Sequence, residues 1–351
     1  MKKIFLLAIA GLISLAFTSC KNGDVEYDNP DGKATVYFAY QNPVRTLVMG
    51  EDEYDTSLDN MHQCIINAAM GGTISGRNTT LEVMVDNNLT NNVYFDLAAP
   101  YAVKPMPRDY YILGDDNSDT QHITYQGLKA GLKVTFTDKF FADPEAVNNT
   151  YVIPLVINRQ VSGDPVTILT GTTLVEGETP QRTNYARWNV APQDYVLYLV
   201  KYISKYDANY CRRGVDNVVT GGKSYNIVRH GASVEADEVI SNVTTVALNK
   251  INYPITVAIE GMDPLTCNLV VTFDDNGKVT NITSTTPDVT ATGTGEYQDK
   301  GELKSWNNKD RDRLCLDYKI TFPDATIETK DTLVWQGRGV MTEEFTSKYG
   351  N

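Results

Sequence analysis

Past its first nineteen residues the sequence has no apolar run near the roughly 20 residues that a membrane-crossing helix requires. A protein that spans a bilayer by helices is therefore excluded. Histidine is nearly missing: His62, His122 and His230 stand far apart and outside any H-E-x-x-H pattern. A histidine-rich metal site or a catalytic triad thus lacks material, and neither G-x-S-x-G nor a phosphate loop occurs. Cysteine is sparse too. After Cys20 come only Cys64, Cys211, Cys267 and Cys315, placed singly without any C-x-x-C, so no zinc site is expected. The four could pair in three ways, and free thiols are the default reading, with Cys267 and Cys315 as small core residues. Positive charge is also in deficit, with 31 Lys and Arg against 44 Asp and Glu and a net charge of −13. A field of that sign repels phosphate backbones, so nucleic acid is not an expected partner. No metal and no cofactor is implied.

What is present begins with a leader. Lys2 and Lys3 precede an apolar stretch from Ile4 to Leu15, followed by Ala16, Phe17, Thr18 and Ser19 before Cys20. A charged head, a short hydrophobic core and small residues at the cut form a secretory signal, assigned to residues 1–19. Leu15-Ala-Phe-Thr-Ser-Cys20 resembles a lipobox, with Phe17 in an unusual place, so Cys20 is expected to carry the lipid anchor. Several acyl chains on one residue hold a protein to a membrane far better than one chain does. Residues 20–32 are polar, acidic at Asp24, Glu26 and Asp28, and rich in turn formers, and read as a tether. The expected location is the outer membrane, lipid-anchored, at the cell surface. Loss of Lys2 and Lys3 with the leader makes the mature chain two charges more negative.

The remaining length exceeds what one core usually serves, so two domains are expected. Thr35–Tyr40, Leu81–Val85 and Leu132–Phe136 alternate apolar and polar residues with the period of half-buried strands, and no stretch keeps a helical period. The class is all-β. Residues 33–178 read as a β-sandwich with long loops, including Met49–His62 and Val85–Tyr94. The turn formers of 179–192 read as a linker. Residues 193–351, opening with Tyr195–Ile203, carry eight or nine short strands at close spacing and read as an up-and-down β-barrel. Asp274-Asp-Asn-Gly277 suits a hairpin turn inside that series.

Chemistry-bearing patterns are few. Asp115-Asp-Asn-Ser-Asp119 spaces oxygens like the start of a calcium loop but lacks its glycine and has Gln126 at the twelfth position, so it reads as a turn. Paired carboxylates for glycoside hydrolysis are recognised only by their separation in space, and the chain is not expected to be an enzyme. Aromatic residues are the richer stock: Trp188, Trp306, Trp335 and twenty-one tyrosines. Flat rings with a polar edge suit stacking on sugars at little entropic cost. Trp306 in its polar loop is the preferred ligand-binding candidate. Trp335, at a strand end, reads more readily as core, and Trp188 lies beside the linker.

Several segments carry a family resemblance: Asn42–Leu47, Met106–Tyr111, Phe141–Pro144 with Thr150–Leu155, Tyr206–Gly214 with its Arg212-Arg213-Gly214, Ser305–Asp312, and Asp331–Gly339. Together they resemble Bacteroidota surface lipoproteins found beside starch-utilisation-type (SusC/SusD) glycan importers. The resemblance implies an immunoglobulin-like sandwich of unknown function followed by a lipocalin-like barrel, and transfers no site residue. The expected function is a non-catalytic, glycan- or nutrient-binding accessory of a polysaccharide-uptake system, with the membrane, a glycan and importer proteins as partners. Its rivals are a carrier of a small apolar ligand in the barrel and a structural or adhesive surface protein.

Overall fold

The apolar-polar alternation is realised as strands through most of the chain, and its breaks fall where a strand is buried on both faces. The computed structural model describes residues 33–98 and 101–350. The leader, Cys20 and the tether lie outside the described residues.

The first lobe is a sandwich of two sheets. One runs Val166–Ile168, Ala34–Tyr37, Gln63–Gly71, Lys129–Phe136 and Tyr111–Leu113 in spatial order. Cys64, Ile66, Ala68 and Met70 alternate inward from it. The other orders Glu343–Glu344, Pro43–Val48, Tyr195–Ile203, Tyr151–Gly163, Thr79–Val85 and Thr120–Thr124. Its inner face gives Leu81, Val83, Ile153, Leu155, Val196 and Val200 to the shared core. Its outer face is covered as well: Val152, Val156, Tyr195, Leu197 and Leu199 pack against Leu89, Val93, Val103 and Phe345. Burial on both faces explains why Tyr151–Ile157 is buried without interruption.

The strand Tyr195–Ile203, expected to open the second domain, belongs to this sandwich. It pairs antiparallel with Tyr151–Gly163 and parallel with Pro43–Val48. Its near-continuous apolar run suits a central strand better than a half-solvated barrel wall, so the lobe boundary falls just after Ile203 and not near residue 193. The expected linker holds a short ribbon, Thr172–Thr173 against Trp188–Val190.

The second lobe is a closed barrel of eight antiparallel strands: Ala208–Thr220, Glu238–Ala247, Lys250–Val257, Leu265–Phe273, Lys278–Ser284, Thr290–Glu302, Arg311–Thr321 and Ala325–Gly337. The last closes on the first through a register running from Asn209↔Gly337 to Thr220↔Ala325. The Asp274–Gly277 turn forms as expected, with Gly277 N bonded to Asp274 O. Inward side chains including Val218, Ile255, Leu269, Phe273, Leu316 and Leu333 form one apolar cluster. After the barrel the chain returns to the sandwich, where Glu343–Glu344 pairs with Pro43 and Val44 and Lys348–Tyr349 pairs with Val93 and Tyr94.

Candidate functional site

The two lobes meet at a cleft whose walls come from loops. The Met49–His62 loop forms one wall and folds around Gly50, whose carbonyl accepts from Thr56 Oγ1 at 2.7 Å and Asn60 Nδ2 at 3.0 Å. Gly50 sits at φ +85°, and a Cβ there would stand 2.7 Å from Lys205 Cβ. Only glycine lets this wall approach the barrel so closely. The three residues that follow present carboxylates: Glu51, Asp52 and Glu53. The opposite wall is the connection between Thr290–Glu302 and Arg311–Thr321. Lys300 near the end of the first of these strands, and Lys304, Asn307 and Asn308 in the connection, all take left-handed φ, between 46° and 54°. Such strain in lysines is uncommon and collects where a loop is shaped for a task.

Charge pairs bridge the walls: Lys300–Glu51 at 3.0 Å, Lys309–Glu53 and Arg311–Glu53 at 3.4 Å, and Arg338–Asp52 at 3.3 Å. Arg338 is buried and also donates to the carbonyls of Glu51, Lys205 and Asp207. Hydrogen bonding from Arg311, with Lys309 close by, lowers the pKa of Glu53 below the ordinary carboxylate value. Burial raises that of Asp207, which two bonds from Thr245 oppose. Between the walls lie two adjoining hollows of about 160 and 340 Å³ that share Glu51, Lys300 and Asp312.

Trp335 lines the smaller hollow. The guanidinium of Arg311 stands 4.8 Å from its ring centroid and that of Arg338 5.7 Å. Cations over an indole face are attracted by its quadrupole. The indole N–H, on a residue only 5% exposed, is buried and has no hydrogen-bond acceptor. In the larger hollow Tyr297 donates to Asp312 Oδ2 at 2.6 Å, and Lys300 N donates to Asp312 Oδ1 at 2.8 Å. The site thus combines one aromatic edge with closely set donors and acceptors of both charges.

The three tryptophans singled out from the sequence do not converge. Trp335 is in the cleft. Trp306 packs on the outer wall of the barrel against Cys211, Val234 and Val334, and reaches the cleft only through its carbonyl, which accepts from Arg311 Nε at 3.2 Å. Trp188 is in the linker ribbon, its indole N–H donating to Gln181 O at 3.1 Å. In the Asp115–Asp119 turn, Asp116 Oδ1 accepts from Ser118 N and Gln121 Nε2, and Asp119 accepts from Arg108. Among the described residues no three His, Cys, Asp or Glu side chains gather as metal ligands. Cys64, Cys211, Cys267 and Cys315 are free thiols.

A second polar constellation, inside the barrel, escaped the sequence reading. Asp331 is buried and accepts from Arg212 Nε at 3.2 Å, Tyr253 at 2.9 Å, Tyr318 at 2.6 Å and Arg229 Nη2. Arg229 also pairs with Asp216, which takes a 2.7 Å bond from Thr329. Gly214 makes the room, because a Cβ there would stand 2.6 Å from Asp331 Oδ1 and 3.1 Å from Arg229 Nη2. The signal was available: Tyr210, Arg212, Gly214, Asp216 and Val218 share one face of a strand, so a charged pair lies in register with core residues.

Comparison with known proteins follows the division into lobes. A family model for a domain of unknown function (DUF5627) matches residues 205–339, and a model described as an N-terminal domain matches residues 27–164. A crystal structure of a protein of unknown function from Bacteroides ovatus is 35% identical, with a TM-score of 0.82 over 91% of this chain and 99% of that one. An auxiliary nutrient binding protein from Bacteroides thetaiotaomicron aligns over 83% of this chain and 90% of its own, at 14% identity and a TM-score of 0.39, too distant to carry an argument. No curated protein matches the sequence.

Proposed function

The chain belongs to the family of that Bacteroides ovatus protein, and from this footing we propose that it is a nutrient-binding accessory that captures a glycan in the cleft between its lobes. The observation that carries the reading is Trp335: a buried indole N–H without an acceptor, at the wall of a hollow crowded with carboxylates and ammonium groups. Sugar hydroxyls both donate and accept, so alternating acidic and basic groups beside a flat ring offer them partners that an apolar pocket would not. The leader and Cys20 add the rest of the proposal: a lipid-anchored protein on the outer membrane, facing outward, that hands its ligand to an importer. A carrier of an apolar molecule in the barrel has less support, because Arg212, Asp216, Arg229 and Asp331 sit inside the barrel.

Affinity electrophoresis and titration calorimetry across a broad glycan panel test the reading. Saturable binding to at least one glycan is expected, accompanied by a change in tryptophan fluorescence. Trp335→Phe keeps most of the packing and removes the N–H, and should weaken binding at least fivefold, as should Lys300→Ala. Silence across the panel, or binding indifferent to both substitutions, overturns it.

A further inference from the structure

The ionic cluster inside the barrel has donors left over. Arg212 has 0% side-chain exposure, and only its Nε is hydrogen-bonded, to Asp331. Neither Nη1 nor Nη2 has a hydrogen-bond acceptor, and Arg229 Nε lacks one as well. A guanidinium carries five N–H donors and no acceptor, and leaving its donors dry and unpaired is costly. Asp331 cannot take up the surplus, since two tyrosines and two arginines already share it. The nearest other carboxylate is Glu238, Arg212's direct cross-strand partner. Its Oε2 stands 3.8 Å from Nη1, beyond hydrogen-bond length, and its side chain is half exposed.

The barrel wall also has a seam beside this cluster. Ala208–Thr220 pairs at one end with Glu238–Ala247 and at the other with Lys223–Arg229, a hairpin strand that forms the free edge of the sheet. Glu238–Ala247 then pairs with the next strand only as far as Asn252. Tyr253–Val257 therefore has no ladder partner on that side. Arg229 borders the seam from one flank and Tyr253 from the other, while Arg212 stands 5.9 Å from the Tyr253 ring centroid. Half-exposed Glu238 thus stands beside the buried Arg212 fork at this gap in the ladder.

We propose that this seam is a second binding site, in which the two Nη groups of Arg212 take a carboxylate end-on and Glu238 swings out to admit it. A planar two-oxygen anion matches the fork of a guanidinium, and its two oxygens supply both missing acceptors at once. The ligand is a small carboxylate-bearing molecule, with an acidic sugar as the class whose hydroxyls suit the polar cluster of Arg212, Arg229 and Asp331 beside the fork. The site is separate from the cleft between the lobes, so neither reading depends on the other.

The test is calorimetric titration and thermal shift of the purified protein with glucuronate, glucose and inorganic phosphate as probes. Glucuronate should bind saturably and raise the melting temperature, glucose should do neither at this site, and Arg212→Gln should lower glucuronate affinity at least tenfold. Glu238→Gln removes the competing carboxylate at a half-exposed position and should tighten glucuronate severalfold, which keeps the test decisive if Arg212→Gln does not fold. No saturable response to glucuronate overturns the proposal and leaves the fork to ordered water. Binding of phosphate but not glucuronate, or glucuronate affinity unchanged in both variants, overturns it equally.

Discussion

Asp331→Asn is the substitution that most directly tests the physical account of the barrel. In the wild type two arginines and two aspartates balance in the buried cluster, and Asp331 is the acceptor shared by Arg212, Arg229, Tyr253 and Tyr318. Asparagine keeps the volume, but it removes one negative charge and turns one acceptor atom into a donor facing other donors. Removing one partner from a buried pair costs about 3–5 kcal/mol, because the remaining charge is stranded. For a lobe of this size each kcal/mol moves the melting temperature by roughly 3–5 °C, so a drop of about 10–20 °C is expected. Scanning calorimetry, supported by urea titration, reads it. Arg212→Met is the comparison: Asp331 keeps Arg229 and both tyrosines, and donors without acceptors disappear, so the cost should be clearly smaller than that of Asp331→Asn. A fall of under about 1 kcal/mol for Asp331→Asn, or equal falls for the two variants, refutes the reasoning, since either would mean that the cluster is hydrated and not a dry charge balance.

Three further outcomes follow from other parts of the molecule. Gly50→Ala, at φ +85° and 2.7 Å from Lys205 Cβ, should cost upward of about 1 kcal/mol and lower glycan affinity by displacing the Glu51–Glu53 wall, as urea melts and calorimetry would show. Arg338→Ala removes the side chain that ties Glu51 and Asp52 to Lys205 and Asp207, and should split one calorimetric transition into two, one for each lobe. Glu82, bonded to Arg159 and Asn158, has a pKa lowered from 4.5 to about 2. Its contribution to stability is therefore complete above pH 4.5 and lost as pH falls toward 2. The gap in melting temperature between wild type and Glu82→Gln should narrow across that window, and a gap independent of pH would contradict the assignment.

The barrel was legible because one of its faces is solvated, so Cys267–Phe273 and Leu314–Phe322 advertise their period. The lobe boundary was not. Tyr195–Ile203 reads as a strand in any context, and nothing local tells that its partners are Pro43–Val48 and Tyr151–Gly163, because parallel pairing is decided by distant chain. Trp335, at a strand end, reads as a core residue, and it is buried. Its place beside Glu51 and Lys300 depends on a loop roughly 280 residues earlier in the chain and is invisible to local pattern. The inward charges of Arg212, Asp216 and Asp331 were the one readable clue to the interior cluster, because a charge in register with core positions has to find a partner.

The return of the chain to its starting lobe sets how the protein carries load. Ala34 and Tyr349 both lie in strands of the first lobe, the latter through Lys348–Tyr349 on Val93 and Tyr94. A pull applied between these two points would be borne by short backbone ladders and by Phe345 in its packed seat, while the barrel hangs outside the line of force. Tension between them would therefore peel the sandwich before it deformed the barrel, which would keep its closed ladder while the first lobe opened.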